Sequence, residues 1–186
     1  MSENELTVGM GNGMELAKIF ADSAIFPDIK TAAQGFVKIL AGRELGMTPM
    51  QALNNFYFVN GRIGITANAA ASLIKNSSKY DYEVKTHTEE ACVIIFKSKD
   101  AIIGESSFTT KDAAKAGLIN KDVWKNYPRN MMFSRALMNG IRWYCPDALS
   151  GCSYSVDELD DLTPVKPTVK TVEITQAGEV VGGKGE

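Results

Sequence analysis

The sequence predicts an α+β fold: an antiparallel sheet of about three to five strands, including a β-hairpin, packed with several helices and followed by a flexible C-terminal tail. The strongest indication is Asn60-Gly61, a pair typical of tight hairpin turns, between the β-prone runs FYFV and RIGI. Helical patterns lie in separate blocks before and after the strands, which favours α+β over a parallel βαβ array. Three later runs have the patterns of antiparallel strands: residues 80–87, 92–98 and 102–108.

Helical patterns dominate the chain before the hairpin. Apolar spacing predicts helices at 14–25 and 31–45, and Gly46 fits the position just after the second one. Residues 48–51, TPMQ, combine a capping box with proline in the first turn, which predicts a short helix. After the hairpin, Thr66 is expected to cap an alanine-rich helix.

Two further helices and a tail complete the predicted chain. A small helix starts at Thr109 or Thr110, and a longer one begins at Pro128 and is stopped by Cys145-Pro146. From residue 155 the composition turns acidic and then mixes proline and glycine without a core pattern. The expected domains are a flexible N-terminus at 1–13, a single α+β domain at 14–154 and an acidic flexible tail at 155–186.

Length and composition limit the classes of protein that fit. A chain of 186 residues that is 45% hydrophobic and 23% charged has the size of one globular domain. No apolar run approaches the length of a membrane span, and the first residues lack signal-peptide features, so a cytoplasmic protein is expected. The three cysteines form no CxxC pair, and His87 has no nucleophile motif beside it. We therefore expect no metal, no cofactor and no enzymatic activity.

Charge is segregated along the chain. The formal charge is -3 for residues 1–27, +6 for residues 28–145 and -5 for residues 146–186. A basic middle flanked by acidic ends suits a protein that binds a polyanion, although random scatter would also produce such a division.

The most basic helix begins within residues 124–143, WKNYPRNMMFSRALMNGIRW. At 100° per residue, Arg135, Asn139 and Arg142 share one stripe, and the two arginines lie about 10 Å apart along the axis. We call these three residues the arginine stripe and expect it to face solvent. The opposite face, expected to be buried, carries Phe133, Leu137 and Tyr144, while the methionines expected to flank the stripe are Met131, Met132 and Met138.

Basic and aromatic residues also alternate before this helix. They are Lys121, Trp124, Lys125, Tyr127 and Arg129. Basic residues that follow a backbone, with aromatic rings for stacking, are typical of single-strand binding. Two other readings stay open: the rings anchor a loop on the core, and the arginines are ordinary solvated residues.

The order of several segments resembles a known family. NGRIGIT is followed by SLIKNSSKYDYEV, then by strands, and then by FTTKDAAKAGLINKDVWKNYPRNMMFSRALMNGIRW. This series is similar to the RecT/Redβ group of phage-type single-strand annealing proteins, over about residues 49–151. The resemblance depends on the order of these segments along the chain.

The resemblance implies a non-catalytic, ATP-independent protein that binds and anneals single-stranded DNA in (pro)phage homologous recombination. Such a protein forms a homo-oligomeric ring or helical filament and holds the DNA backbone while the bases face outward. The implied partners are single-stranded DNA, the annealed duplex intermediate, further copies of the chain, a partner exonuclease and a host single-strand-binding protein. No membrane is involved, and the implied location is the cytoplasm of a bacterial host.

The resemblance also suggests residue roles. Arg135 matches a basic position of the family, and Arg142 lies near a later one. Three positions depart from the pattern, because Asn68, Phe133 and Ser134 stand where relatives often carry basic residues. Weaker binding is one expected result, and compensation by other lysines is the alternative. Those lysines are Lys75, Lys79, Lys97 and Lys111.

Two other functions remain as alternatives. A phage structural or interaction protein would use the arginine stripe to dock on an acidic protein surface. A small nuclease would instead use carboxylates such as Asp112, Asp122 or Asp147 with Mg²⁺, although their spacing gives no reason to expect them to converge.

Overall fold

A computed structural model of the chain describes residues 3–152 and 154–161, with side chains described from residue 13 onward. The fold is α+β, as the sequence predicts. The five strands in these ranges form two antiparallel sheets rather than one, because neither strand of the hairpin pairs with a strand of the second sheet.

Eight α-helices are present in the described ranges. Their bounds are α1 Glu3–Ser23, α2 Ala32–Glu44, α3 Pro49–Asn55, α4 Ala67–Asn76, α5 Thr110–Lys115, α6 Asp122–Asn126, α7 Pro128–Tyr144 and α8 Val156–Asp160. A 3₁₀ turn at Pro146–Leu149 follows α7. The predicted capping box at Thr48 is confirmed, since its side chain accepts a hydrogen bond from the Gln51 backbone amide and the Thr48 backbone amide donates one to the Gln51 side chain.

The strands follow the predicted order. The hairpin consists of β1 (Phe56–Val59) and β2 (Arg62–Ile65), and the second sheet has the order β3 (Tyr80–His87), β4 (Ala91–Ser98) and β5 (Ala101–Thr109). Asn60 and Gly61 have φ angles of 51° and 76°, the left-handed pair that a type I′ turn needs. The hairpin prediction is therefore confirmed.

The main core lies between α7 and the three-stranded sheet. Cys92, Ile94 and Phe96 alternate along β4 and are fully buried. Gly140 of α7 allows a close approach here, since a Cβ at this position would lie 1.9 Å from the Phe96 ring. Ser106 of β5 donates a hydrogen bond to a carbonyl of α7, at 2.7 Å. These contacts fix the position of α7 relative to the sheet.

Both ends of the described chain contain more helix than predicted. α1 begins at Glu3 rather than at residue 14, and α8 occupies residues that were expected to start the tail. The rest of the predicted tail, residues 162–186, lies outside the described residues. In the part of the chain that the structure describes, no helix is long and apolar enough to cross a membrane.

Candidate nucleic-acid interface

The arginine stripe of α7 is covered by the acidic helix α8. Arg142 donates two parallel hydrogen bonds to Glu158, with Nη1–Oε2 and Nη2–Oε1 distances of 2.9 and 2.7 Å. Arg135 pairs with Asp161 and lies 3.7 Å from Glu158, and Lys121 also pairs with Asp161. The Arg135 and Arg142 side chains are only 13% and 24% exposed. This is an intramolecular ion network, not an open row of cations.

The hairpin holds α8 in place. Ser155 caps α8 and forms a parallel bridge with Ile65 of β2, while the Asn60 side chain donates to the Leu159 carbonyl at 2.9 Å. Leu159 is 1% exposed and packs where Gly64 has no side chain; a Cβ there would lie 2.7 Å from Leu159. Since apolar burial, a cap and backbone bonds act together, α8 is an integral part of the fold.

The expectation of a solvent-facing arginine stripe is therefore wrong. Asn139 also belongs to the network, because it accepts a hydrogen bond from Arg142. The methionines that were expected to flank the stripe are buried: Met131, Met132 and Met138. The physical reason is that α7 is enclosed by the sheet on one side and by α8 on the other. Helical periodicity identified a polar stripe but could not show which distant segment covers it.

The aromatic residues before α7 divide into two kinds. Trp124 is 4% exposed and packs against Phe108 with ring centroids 5.9 Å apart, so it anchors α6 on the core and is not available to stack on a base. Tyr127 is 61% exposed. Of the two predicted stacking residues, only Tyr127 keeps an accessible ring.

The predicted lysines also divide into paired and unpaired residues. Lys75, Lys79 and Lys97 form ion pairs with Asp81, Asp147 and Glu83, each at 2.6 Å. The hydrogen bond to Asp147 raises the pKa of Lys79. Among the described side chains, no carboxylate lies within 4 Å of the remaining predicted cations, which are Lys111, Lys125 and Arg129.

A groove with a volume of about 600 Å³ opens beside the N-terminus of α7. Its walls come from the hairpin, the start of α4, the end of β3, the start of α7 and α8. Its lining combines aromatic and polar side chains with four aliphatic ones. The aromatic and polar residues are Tyr57, Tyr127, Phe133, Thr66, Asn68, His87, Asn130, Ser134 and Asp157, and the aliphatic residues are Ala67, Val123, Met131 and Val156. We call this cavity the groove.

A smaller cavity of about 190 Å³ adjoins the groove. It is lined in part by Tyr127 and Asn130, which also line the groove, and by Arg129. The groove therefore leads toward Arg129, which has no carboxylate within 4 Å among the described residues, although Glu89 lines the same small cavity.

Reciprocal hydrogen bonds join β3 to α7 at the groove. Arg129 Nη2 donates to the His87 carbonyl at 3.1 Å, and His87 Nε2 lies 3.0 Å from the Arg129 carbonyl. Because a carbonyl oxygen only accepts, Nε2 carries the proton in this arrangement. The His87 ring also packs against Phe133, with centroids 5.7 Å apart. These contacts hold this wall of the groove in place before any ligand binds.

Two helices begin at the groove. Thr66 caps α4 through the Ala69 amide, whereas Tyr127 at the start of α7 makes no side-chain capping bond. Neither helix has an acidic residue in its first turn. The first amides of a helix have no intrahelical acceptor and carry partial positive charge, so both helix starts favour hydrogen-bond acceptors in the groove.

A buried lysine lies behind the groove. Lys38 is 0% exposed; its Nζ bonds Asp28 at 2.6 Å and the Leu53 carbonyl at 3.3 Å, and lies 4.9 Å from the centroid of the Tyr57 ring. Desolvation lowers the pKa of Lys38, while Asp28 acts in the opposite direction. The Lys38 ammonium group, which is paired with Asp28, thus lies against the ring of Tyr57, which also lines the groove.

The groove could not be predicted from the sequence, because its residues come from five separated segments. One signal was nevertheless visible. Asn68, Phe133 and Ser134, the three positions that depart from the basic pattern of the RecT/Redβ resemblance, all line this cavity. The structure therefore brings together residues that the sequence marked one at a time.

The carboxylates of the nuclease alternative do not form a site. Asp112 belongs to the capping box of α5, and Asp147 binds Lys79 and Tyr80. Within residues 13–152 and 154–161, no group of three or more potential ligands is placed to hold a metal ion.

No protein-family model matches the chain, and searches of curated proteins and of solved structures returned no match.

Proposed function

We propose that this protein binds single-stranded DNA and anneals it to its complement without ATP, as a RecT/Redβ-type homo-oligomer in the cytoplasm of a phage-infected bacterium. The open groove carries this proposal, because it joins an exposed tyrosine to Arg129 and collects three positions that the resemblance singled out. The ordered motif series and the basic middle of the chain support it.

The structure changes which cations can take part. Breaking a buried ion pair by removing one partner costs about 3–5 kcal/mol, so Arg135 and Arg142 are poorly placed to exchange Glu158 for a phosphate. Exposed pairs contribute only about 0–1 kcal/mol. Lys75 and Lys79 can therefore exchange their carboxylates for phosphates, and they would act together with Lys111, Lys125 and Arg129.

The interaction-protein alternative loses its main support. It required the arginine stripe to dock on an acidic surface of another protein. In this fold the acidic partner is α8 of the same chain. No other described feature specifically favours that alternative over DNA binding.

The direct test mixes complementary fluorescent oligonucleotides with the full chain, without nucleotide, and measures the rate of pairing. Acceleration that grows with protein concentration and leaves strand length unchanged in Mg²⁺ is the expected result. Failure to bind either strand at low salt, or strand shortening, would reject the proposal. Electron microscopy of the same mixture tests for rings or filaments.

A further inference from the structure

The lining of the groove lacks the charge that a phosphate site needs. None of the described residues that line it is lysine or arginine, and Asp157 contributes a carboxylate. The Ser134 hydroxyl donates to Asp157 at 3.1 Å, which fixes this negative charge on the wall. A phosphate in the groove would be repelled by this carboxylate, and more strongly than in bulk water because the effective dielectric constant is lower there. The two helix starts offset part of this repulsion.

The polar groups of the groove instead match the edges of nucleobases. The side-chain amides of Asn68 and Asn130 have no hydrogen-bond partner among the described residues, and each offers both donors and an acceptor. Amide side chains pair well with adenine, and carboxylates accept from the amino group of cytosine. A mixture of neutral donors and acceptors with one carboxylate therefore favours a base over a phosphate.

The aromatic groups provide stacking surfaces. Tyr57 is 37% exposed and lines the groove, while Lys38 Nζ lies 4.9 Å from the centroid of the same ring. A cation over a tyrosine ring is attracted by the electrons of its face, so Lys38 holds this ring in one orientation. Tyr127, which also lines the groove, is the more exposed of the two tyrosines. This arrangement also gives the buried Lys38 a role as a positioning residue.

We propose that the groove holds an unstacked nucleobase of the bound strand against Tyr57, while the sugar-phosphate chain passes outside it near Arg129. This inference rests on the proposed function and refines it. One anchored base per protomer leaves neighbouring bases free to pair with a complement. It differs from the expectation that all bases face outward.

The test compares two oligonucleotides with equal numbers of phosphates, oligo-dT and an abasic oligomer, by fluorescence anisotropy with the full chain. The abasic oligomer is expected to bind roughly 5- to 150-fold more weakly, the range for one stacked base. Equal affinity would overturn base anchoring and leave single-strand binding intact. No binding of either oligomer at low salt would instead reject the proposed function.

Substitutions of individual residues test where in the groove the base binds. Tyr57→Leu should weaken oligo-dT binding by a similar factor and leave abasic binding unchanged, whereas Tyr57→Phe should stay within about twofold of the wild type. Lys38→Met, which removes the cation behind the ring, should give a smaller loss confined to oligo-dT. If Tyr57→Leu does not fold, Tyr127→Ala gives the same comparison on a more exposed side chain. A loss that is equal for the two oligomers would contradict stacking at the groove.

Discussion

The arginine stripe and the groove lie on the same helix, yet the fold uses them differently. Arg135 and Arg142 have their carboxylate partners within the chain and are largely buried. At the N-terminal end of α7, Asn130 and Tyr127 line an open cavity, and among the described residues the Asn130 amide has no partner. A high density of arginine along a helix therefore does not by itself locate a binding site. Side chains that are already ion-paired within the fold contribute to stability, whereas side chains without such partners are available to bind a ligand.

The largest change in stability is expected when an ion pair of the arginine stripe is removed. Arg142→Met should lower the free energy of unfolding by about 3–5 kcal/mol, because it leaves Glu158 buried without its two-bonded partner. Denaturant unfolding followed by circular dichroism measures this. Lys125→Met is the matched control and should change stability by no more than about 0.5 kcal/mol. If the two variants were equally stable, the arginine stripe would not be a structural element.

A smaller effect is expected from the cap of α8. Ser155→Ala removes the hydroxyl that accepts from the Glu158 amide, which should cost about 0.5–2 kcal/mol. Ser107→Ala, an exposed serine of β5, is the control and should be nearly neutral. Thermal unfolding of both variants compares them. A neutral Ser155→Ala would mean that α8 does not need its cap to dock on α7.

The smallest effect is expected at an exposed pair. Lys79→Gln removes the partner of Asp147, and because both side chains are more than half exposed, the free energy of unfolding should fall far less than it does in Arg142→Met. The same denaturant titration measures it. A loss as large as that of Arg142→Met would erase the distinction between exposed and buried pairs on which the choice of DNA-binding cations depends.

Local sequence patterns predicted the elements of the fold well. Asn60-Gly61 determines a type I′ hairpin because few other residue pairs adopt two positive φ angles, and the Thr48 capping box determines the start of α3. These signals act over a few residues, so they can be read without knowing the rest of the chain.

The site could not be predicted in the same way. The partners of Arg142 and Arg135 lie 16 and 26 residues further along the chain, in a segment that composition assigned to a tail. Burial of Trp124 depends on Phe108 of β5, which helix periodicity does not report. The groove likewise depends on packing between distant segments, and only its departures from the family pattern could be seen in the sequence.

We expect DNA to bind at the groove and not at the arginine stripe, and the salt dependence of binding distinguishes these two sites. For single strands, the logarithm of affinity falls with the logarithm of salt concentration with a slope of about -0.7 per neutralised phosphate. The double variant Lys125→Gln/Arg129→Gln should therefore make the slope less steep by about 1.4, while folded Arg142→Gln should leave it unchanged. Lys18→Gln, which removes a charge on α1, is the control for net charge. A slope that changes with Arg142→Gln but not with the double variant would contradict the account.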